Sequence, residues 1–392
     1  MDFSFTAEQE AFRTEVQRFI DETLTEAFWA DHQASGGGGS SPAFSRQAAE
    51  TGWLAVAWPE EYGGGGRSFI EQMIYMEVMA YAGAPQEHHR RAVQQVGPSI
   101  ILSGNDEQKA DLLPKIAAGE ISFAMGLSEP TAGSDLASVT TAARRDGDEW
   151  VVNGQKRFTS GAHFSDFLWT MVRTDPDAPK HRGISMLSIP LDADGVRVEP
   201  LIDMQDRHGF NQVFLEDVRV PASNLVGEEN RGWYVNAATM DFERSGISRF
   251  AFLRQILDRL LADVRAIGGA DVQPIGHTAR RARAAELATR TEVGKLLAHR
   301  IISLQSSGAL PNYEVSIGKL TVTETIQQSV NLAVAARGLA GLLGYGGDNA
   351  EEGTMLEWGP LYLDAVRHTI GQGAAEIQRN IVATRGLGLP RG

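Results

Sequence analysis

Two short segments combine hydroxyl groups, glycines and an aromatic ring at spacings that suit the binding of a planar polar ligand. The stretch MGLSEPTAGSDLAS places Ser128, Ser134 and two glycines in a loop that leads into predicted strands. Hydroxyl and backbone N–H donors of such a loop can hold a polar ring edge or a phosphate. In RFTSG, Phe158 lies two residues before Ser160, so on a strand both side chains would face the same side. Taken alone, these patterns are more typical of a well-capped turn and of a core phenylalanine beside a surface serine.

Other combinations of reactive residues are poor candidates for a site. His88 and His89 are adjacent rather than one helical turn apart, so we expect no metal site there. The glycines of GLAGLLGYGG follow a helical pattern rather than a strand, unlike a dinucleotide-binding fingerprint. Ser128 has no histidine or acid in a known nucleophile arrangement, and the chain has no cysteine. A hydrolase and a thiolate metal site are therefore not expected.

The elements that must position these residues follow the order helix, strand, helix. Apolar spacing after Thr6, a plausible N-cap, predicts a first helix, and Gly119 is placed to end a later one. Turn signals at Asp146-Gly147 and Asn153-Gly154 predict hairpins in a run of short β-branched and aromatic segments. Beyond Gly232, the apolar stripe from Leu253 to Val264 predicts a helix, and two longer helical patterns follow around residues 287–304 and 315–336.

Composition excludes several classes of protein. The 392 residues are 42% hydrophobic and 22% charged, which is ordinary for a globular protein of two or three domains. A net charge of -14 makes nucleic acid and anionic lipid poor partners. The chain lacks a signal-peptide pattern and a long apolar run, and with no cysteine a cytoplasmic location without membrane association is expected.

Six blocks in order give the chain an end-to-end resemblance to a known family. They are GWLAVAWPEEYGGGG, LSEPTAGSDLAS, NGQKRFTSGA, FLEDVRVPASNLVGEENRGW, DFERSG and GAAEIQRNIVATRGLGLP. Together they resemble the acyl-CoA dehydrogenase family, and most closely actinobacterial members, some of which act on CoA thioesters of sterol side chains. The resemblance implies an α+β fold with a helical N-terminal domain (1–122), a central β-barrel-like domain (123–232) and a C-terminal four-helix bundle (233–392).

The same resemblance implies a bound FAD. Leu127, Ser128 and Ser134 would touch the flavin and its phosphates, Phe158 would lie against the flavin ring, and Ser160 would reach its N5 edge. The family often has tryptophan where this chain has Phe158, so the stacking face is kept and the indole N–H donor is lost. The adenine half would meet residues of a neighbouring subunit, here Arg281 or equally Arg280, together with Arg337 and Gly341.

The resemblance also implies a carboxylate base that removes the α-proton of an acyl-CoA thioester. A carboxylate in a dry pocket suits this step because burial raises its pKa. The commoner family position holds Gln372, an amide that cannot act as a base. The second family position holds Glu243, immediately before Arg244, and we assign Glu243 as the base. On residues alone, a solvated ion pair of Glu243 and Arg244 on a helix face is the more typical interpretation.

Further roles are implied around the substrate. The backbone N–H of Gln372, with a ribityl hydroxyl of FAD, would stabilise charge on the thioester oxygen. Ser134 and Arg244 would help to bind the substrate, Arg244 through its coenzyme A part. The expected partners are an electron-transfer flavoprotein and further subunits, as a homotetramer or a heterotetramer. Two alternatives stay open: a flavin oxidase or monooxygenase on the same fold, and a non-catalytic subunit of a heterotetramer.

Overall fold

The computed structural model describes residues 4–35, 38–243, 246–267, 277–309, 311–342 and 358–390. For residues 238, 240–243, 264, 266, 267, 277 and 340 it describes the backbone alone. The order of a helical, a β and a helical domain, predicted from the sequence, is confirmed. The two domain boundaries, after residues 122 and 232, stay a prediction.

The first helix begins where the sequence predicts. The Thr6 hydroxyl accepts a hydrogen bond from the Gln9 backbone N–H at 3.2 Å, and the Gln9 side chain accepts one from the Thr6 N–H at 2.9 Å. This reciprocal cap satisfies two N–H groups that a helix start leaves without partners. The helices described are α1 (Ala7–Thr23), α2 (Glu26–Ala34), α3 (Pro42–Glu50), α4 (Phe69–Tyr81), α5 (Gly97–Ser103), α6 (Asp106–Ala117), α7 (Gly232–Glu243), α8 (Ile247–Ile267), α9 (His277–Ser306), α10 (Tyr313–Arg337), α11 (Trp358–His368) and α12 (Ala375–Ile381).

Eight strands form one sheet between α6 and α7. They are β1 (Phe123–Gly126), β2 (Ala142–Asp146), β3 (Glu149–Lys156), β4 (Phe167–Arg173), β5 (Ile184–Pro190), β6 (Val196–Ile202), β7 (His208–Pro221) and β8 (Leu225–Val226). The strand order is β6-β7-β3-β2-β4-β5-β8, and β1 pairs in parallel with β4. Trp150, Leu168, Leu187 and Val213 are buried on one face of this sheet, in its apolar core.

One of the two predicted turns is confirmed and the other is wrong. Asp146 pairs with Glu149 across a tight β2–β3 hairpin in which Gly147 has a left-handed φ of 65°. The second signal, Asn153-Gly154, lies inside β3, where the register against β7 shifts. The glycine is needed there because a Cβ at residue 154 would approach the Thr141 Cα to 2.7 Å. The pattern marks a bulge with a close backbone approach rather than a turn.

Contacts divide the chain into two compact units. The first unit contains α1, α4 and the helices from α8 onward, in the ranges Met1–Ala30, Phe69–Ala84 and Arg244–Gly392. In this unit Leu253, Ile256, Leu257 and Leu260 of the predicted stripe are buried. The second unit holds the β domain with its flanking helices, in the ranges Asp31–Ser68 and Pro85–Glu243. No helix in the described part of the chain is both long and apolar enough to span a membrane.

Candidate functional site

The loop after β1 carries the first group of predicted site residues. Leu127 and Ser128 are half-buried and Ser134 is exposed. The loop is closed on itself, because Glu129 and Ala132 exchange backbone hydrogen bonds at 2.9 and 3.2 Å. Ser128 and Ser134 lie on either side of this closed turn, on the loop that joins β1 to β2, and the sequence predicts a loop entering the sheet here.

Phe158 and Ser160 do not lie on a strand, so that part of the prediction is wrong. β3 ends at Lys156, and Phe158 has a left-handed φ of 58°. The turn is fixed by β7 instead, since Thr159 and Asn211 exchange backbone hydrogen bonds, each of 3.0 Å. A left-handed backbone is costly for an aromatic residue and commonly marks a functional site. Phe158 is 57% exposed, so packing in the core does not explain this conformation.

The structure brings the β1 loop and the Phe158 turn together. The Arg157 backbone N–H donates to the Ser128 carbonyl oxygen at 2.8 Å. The Phe158 ring is held by an edge contact with Phe210, at 6.3 Å between centroids, and by the Arg157 guanidinium 4.9 Å from its centre. Within the described chain, no side-chain or backbone group bonds the Ser128 or Ser160 hydroxyl. An exposed ring beside uncommitted hydroxyl donors can hold a planar heterocycle with polar edges.

A buried ion pair links the same two segments. Lys156 Nζ lies 2.8 Å from Glu129 Oε1, and the two side chains are 0% and 2% exposed. Burial alone would raise the pKa of Glu129, but the Lys156 ammonium and hydrogen bonds from Thr141 and Thr140 outweigh it and hold this pKa at about 2. Burial lowers the pKa of Lys156 to about 8 against the opposing effect of Glu129. Both groups are therefore ionised at neutral pH.

Gln372 lies in the first unit, in the loop between α11 and α12. Gln372 and Gly373 both have left-handed backbones, with φ of 55° and 87°. Lys319 Nζ of α10 donates to the Gly371 carbonyl oxygen at 2.6 Å and also to the Gly373 carbonyl oxygen. Because C=O and N–H of one trans peptide point in opposite directions, the Gln372 N–H is directed away from Lys319. Gln378 adds hydrogen bonds to the Gln372 and Gly373 carbonyl oxygens at 3.4 and 3.2 Å.

The other predicted site residues are placed as follows. Arg337 ends α10 and forms an ion pair of 2.9 Å with Asp263, while Gly341 is buried in the 3₁₀ turn Gly338–Leu342. Arg281 is exposed on α9. Glu243 is the last residue of α7, but its side chain lies outside the described part of the chain, and so does all of Arg244. Their proposed roles stay predictions.

Reasoning from the sequence missed three buried charged residues, Glu129, Lys156 and Lys319. Lysine in a strand or helix normally indicates a solvent-facing side, and nothing local distinguishes Lys319. One usable signal was the position of Lys156, two residues from Phe158 and between an apolar strand and the turn. Lys319 and the loop that it binds are more than 50 residues apart, so no local pattern predicts their contact.

Comparisons with known proteins match one family along nearly the whole chain. Family models for the N-terminal, middle and C-terminal domains of acyl-CoA dehydrogenases match residues 6–120, 124–218 and 230–387. The chain is 35% identical over 406 positions to the acyl-CoA dehydrogenase FadE26 of Mycobacterium tuberculosis, with 100% of this chain and 99% of that relative covered.

Two solved structures are similar over their full length. The Tcur3481-Tcur3483 steroid ACAD superposes with a TM-score of 0.87 at 32% identity, and 100% of both chains is covered. The ChsE4-ChsE5 complex from Mycobacterium tuberculosis gives a TM-score of 0.84 at 34% identity, again with 100% of both chains covered.

Proposed function

The chain belongs to the acyl-CoA dehydrogenase family of enzymes, and on this premise we propose that it converts an acyl-CoA thioester to the 2-enoyl-CoA. Bound FAD would supply the hydride acceptor for this reaction. The observation that carries the proposal is the exposed, left-handed Phe158 beside the uncommitted hydroxyls of Ser128 and Ser160. Without a ligand, such a ring would be an unexplained cost to the fold.

The residues present fit a flavin. An aromatic face and nearby hydroxyl donors match a planar ring system with polar edges. We assign flavin contacts to Leu127, Ser128, Ser134, Phe158 and Ser160. Arg281, Arg337 and Gly341 would contact the adenine half of the FAD that a neighbouring subunit binds. Arg337 is already held by Asp263, which would present its guanidinium in a fixed orientation.

Two residues of the chain would have separate roles in removal of the α-proton. Glu243 would accept the α-proton, because the amide of Gln372 has no basic lone pair at neutral pH. The Gln372 N–H would donate to the thioester carbonyl oxygen and stabilise the negative charge that develops as the proton leaves. Its fixed direction, set through Lys319, is what such a donor requires. Ser134 and Arg244 would contribute to binding of the substrate, with Arg244 at the coenzyme A part.

Similar proteins support a proposal for the acyl group and the partners. A steroid ACAD is among the similar structures, so we propose a CoA thioester on a steroid side chain as the substrate class. A complex of two different chains, ChsE4 and ChsE5, is also among them, which supports assembly with a second type of chain as a heterotetramer, with a homotetramer as the alternative. Electrons would pass on to an electron-transfer flavoprotein. The cytoplasmic location stays a prediction from the absence of cysteine.

The test is anaerobic mixing of the purified holoprotein with a panel of acyl-CoA thioesters while the flavin absorbance is recorded. Bleaching by a steroid side-chain CoA, and slower or no bleaching by straight-chain acyl-CoAs, is expected. Bleaching by no thioester, or consumption of oxygen with a free substrate instead, would support an oxidase or monooxygenase. Activity that appears only after addition of a second chain, and that is unchanged when this chain carries Glu243→Gln, would support the non-catalytic subunit.

A further inference from the structure

The Glu129–Lys156 pair is more deeply buried than a stabilising surface contact would be. Other ion pairs of the β domain are exposed, as in Arg219 with Asp146 and Glu149. Removing two charges from water costs several kcal/mol per ion, and well-packed apolar residues often stabilise a core equally well. Stability alone therefore does not explain why charges occupy these positions.

Hydrogen bonds hold the pair in one geometry. Glu129 Oε2 accepts from the Thr140 N–H at 2.7 Å and from the Thr140 hydroxyl at 2.8 Å. Glu129 Oε1 accepts from the Thr141 N–H at 3.0 Å as well as from Lys156. Lys156 Nζ also donates to the Met171 carbonyl oxygen of β4 at 2.6 Å. The carboxylate thus ties the β1 loop to the segment before β2, and the ammonium ties the end of β3 to β4.

Each member of the pair is close in sequence to a proposed flavin contact. Glu129 directly follows Ser128, and Lys156 precedes Phe158 by two residues. Consecutive Cα atoms are about 3.8 Å apart, so the backbone of each member of the pair lies within about 8 Å of the backbone of a proposed flavin contact. The Arg157 N–H bond to the Ser128 carbonyl joins the two segments between these points.

We propose that the Glu129–Lys156 pair is a positioning device that sets the Ser128 loop and the Phe158 turn at the spacing needed to bind FAD. The inference rests on the proposed function, because it assumes that both segments contact the flavin. Directional hydrogen bonds select one loop conformation, whereas an apolar contact of the same volume would allow several. The pair acts through its neighbours and need not touch the flavin itself.

The experiment separates positioning from stability by replacing both charges. The variants are Glu129→Gln and Lys156→Met alone, the double variant Glu129→Leu with Lys156→Met, and Glu129→Asp. We measure the melting temperature of the apoprotein and its Kd for FAD by titration. Each single variant leaves one buried charge or carbonyl without its partner, so both stability and FAD affinity are expected to fall. The double variant is expected to recover most of the melting temperature and still bind FAD at least tenfold more weakly.

Glu129→Asp decides the question if the double variant does not fold. It keeps the charge but shortens the side chain by one C–C bond, about 1.5 Å, so the carboxylate reaches the Thr140 and Thr141 donors only if the loop moves. A melting temperature near wild type with about tenfold weaker FAD binding is expected. Arg219→Gln, which removes exposed ion pairs, is the matched control and should leave the Kd unchanged.

The Kd values for FAD distinguish failure of the positioning role from failure of the proposed function. Wild-type Kd values for FAD in both the double variant and Glu129→Asp would overturn the positioning role. Failure of the wild-type apoprotein to bind FAD at all would instead overturn the proposed function.

Discussion

Replacing Lys319 with methionine tests how the loop at Gln372 is held. The side chain is only 9% exposed and its ammonium donates to the carbonyl oxygens of Gly371 and Gly373. Methionine has a similar length and no donor, so the loop would lose both bonds without a large change in volume. The Gly373 carbonyl would keep its bond from Gln378, whereas the Gly371 carbonyl would lose the bond from Lys319.

The size of the effect follows from these contacts. Hydrogen bonds to a charged group contribute about 1.5–3 kcal/mol each, and part of this is offset because a buried ammonium no longer has to be desolvated. We expect a loss of about 2–4 kcal/mol in the free energy of unfolding. Loss of an entire oxyanion donor costs about 100- to 1,000-fold in rate. Here the Gln372 N–H remains but is less well directed, so we expect flavin reduction to slow by about 10- to 100-fold.

The assay combines chemical denaturation with anaerobic stopped-flow reduction of the flavin at saturating acyl-CoA. Lys295→Met is the matched control, because Lys295 is also a lysine of the first unit but forms a half-exposed pair of 3.5 Å with Glu77. Such a pair contributes about 0–1 kcal/mol, and no change in reduction rate is expected. If Lys319→Met reduces its flavin as fast as the control, the loop does not depend on Lys319 and the orientation argument is wrong.

Three further predictions concern the β domain and the assembly. Phe158→Gly should change stability by about 1 kcal/mol or less, since relief of the left-handed backbone offsets the lost ring contacts, yet weaken FAD binding by titration. Glu129 has a pKa of about 2 in the fold, below its ordinary 4.5, so its contribution to stability is present above about pH 4.5 and is lost as the pH falls toward 2. Lys156 and Arg173 are the cations that act on Glu129. The free energy of unfolding of Glu129→Gln, measured by chemical denaturation between pH 2 and 4.5, should therefore lack the loss that the wild type shows on acidification. Light scattering of the holoprotein, alone or with a co-expressed homologous chain, should give a tetramer, and a stable FAD-bound monomer would contradict this.

Local chemistry made much of the fold predictable. The Thr6 cap, the Asp146-Gly147 hairpin and the apolar stripe of α8 depend on neighbouring residues, and all three are confirmed. Gly154 failed as a turn signal because the reason for its glycine is the approach of Thr141 from the preceding segment. A sequence pattern records that a small residue is present but not which backbone requires it.

The residues assigned to the candidate site stay predictions, whereas part of its geometry is described and differs from what the sequence indicated. The block resemblance indicated Ser128, Phe158 and Gln372, but Phe158 was expected on a strand. Its turn is set by pairing with Asn211, more than 50 residues away, which local propensity cannot register. The burial of Lys156 and Lys319 was not predicted for the same reason, because their hydrogen-bond partners are distant in sequence.

The most direct test of the central claim is single-turnover reduction of the bound flavin by a competent acyl-CoA in Glu243→Gln and Gln372→Ala. Both variants should bind FAD as the wild type does. If Glu243 is the base, Glu243→Gln should reduce its flavin several orders of magnitude more slowly, whereas Gln372→Ala, which keeps the backbone N–H, should stay within about tenfold of wild type. Near-normal reduction by Glu243→Gln, or a collapse of the rate in Gln372→Ala alone, would contradict the account.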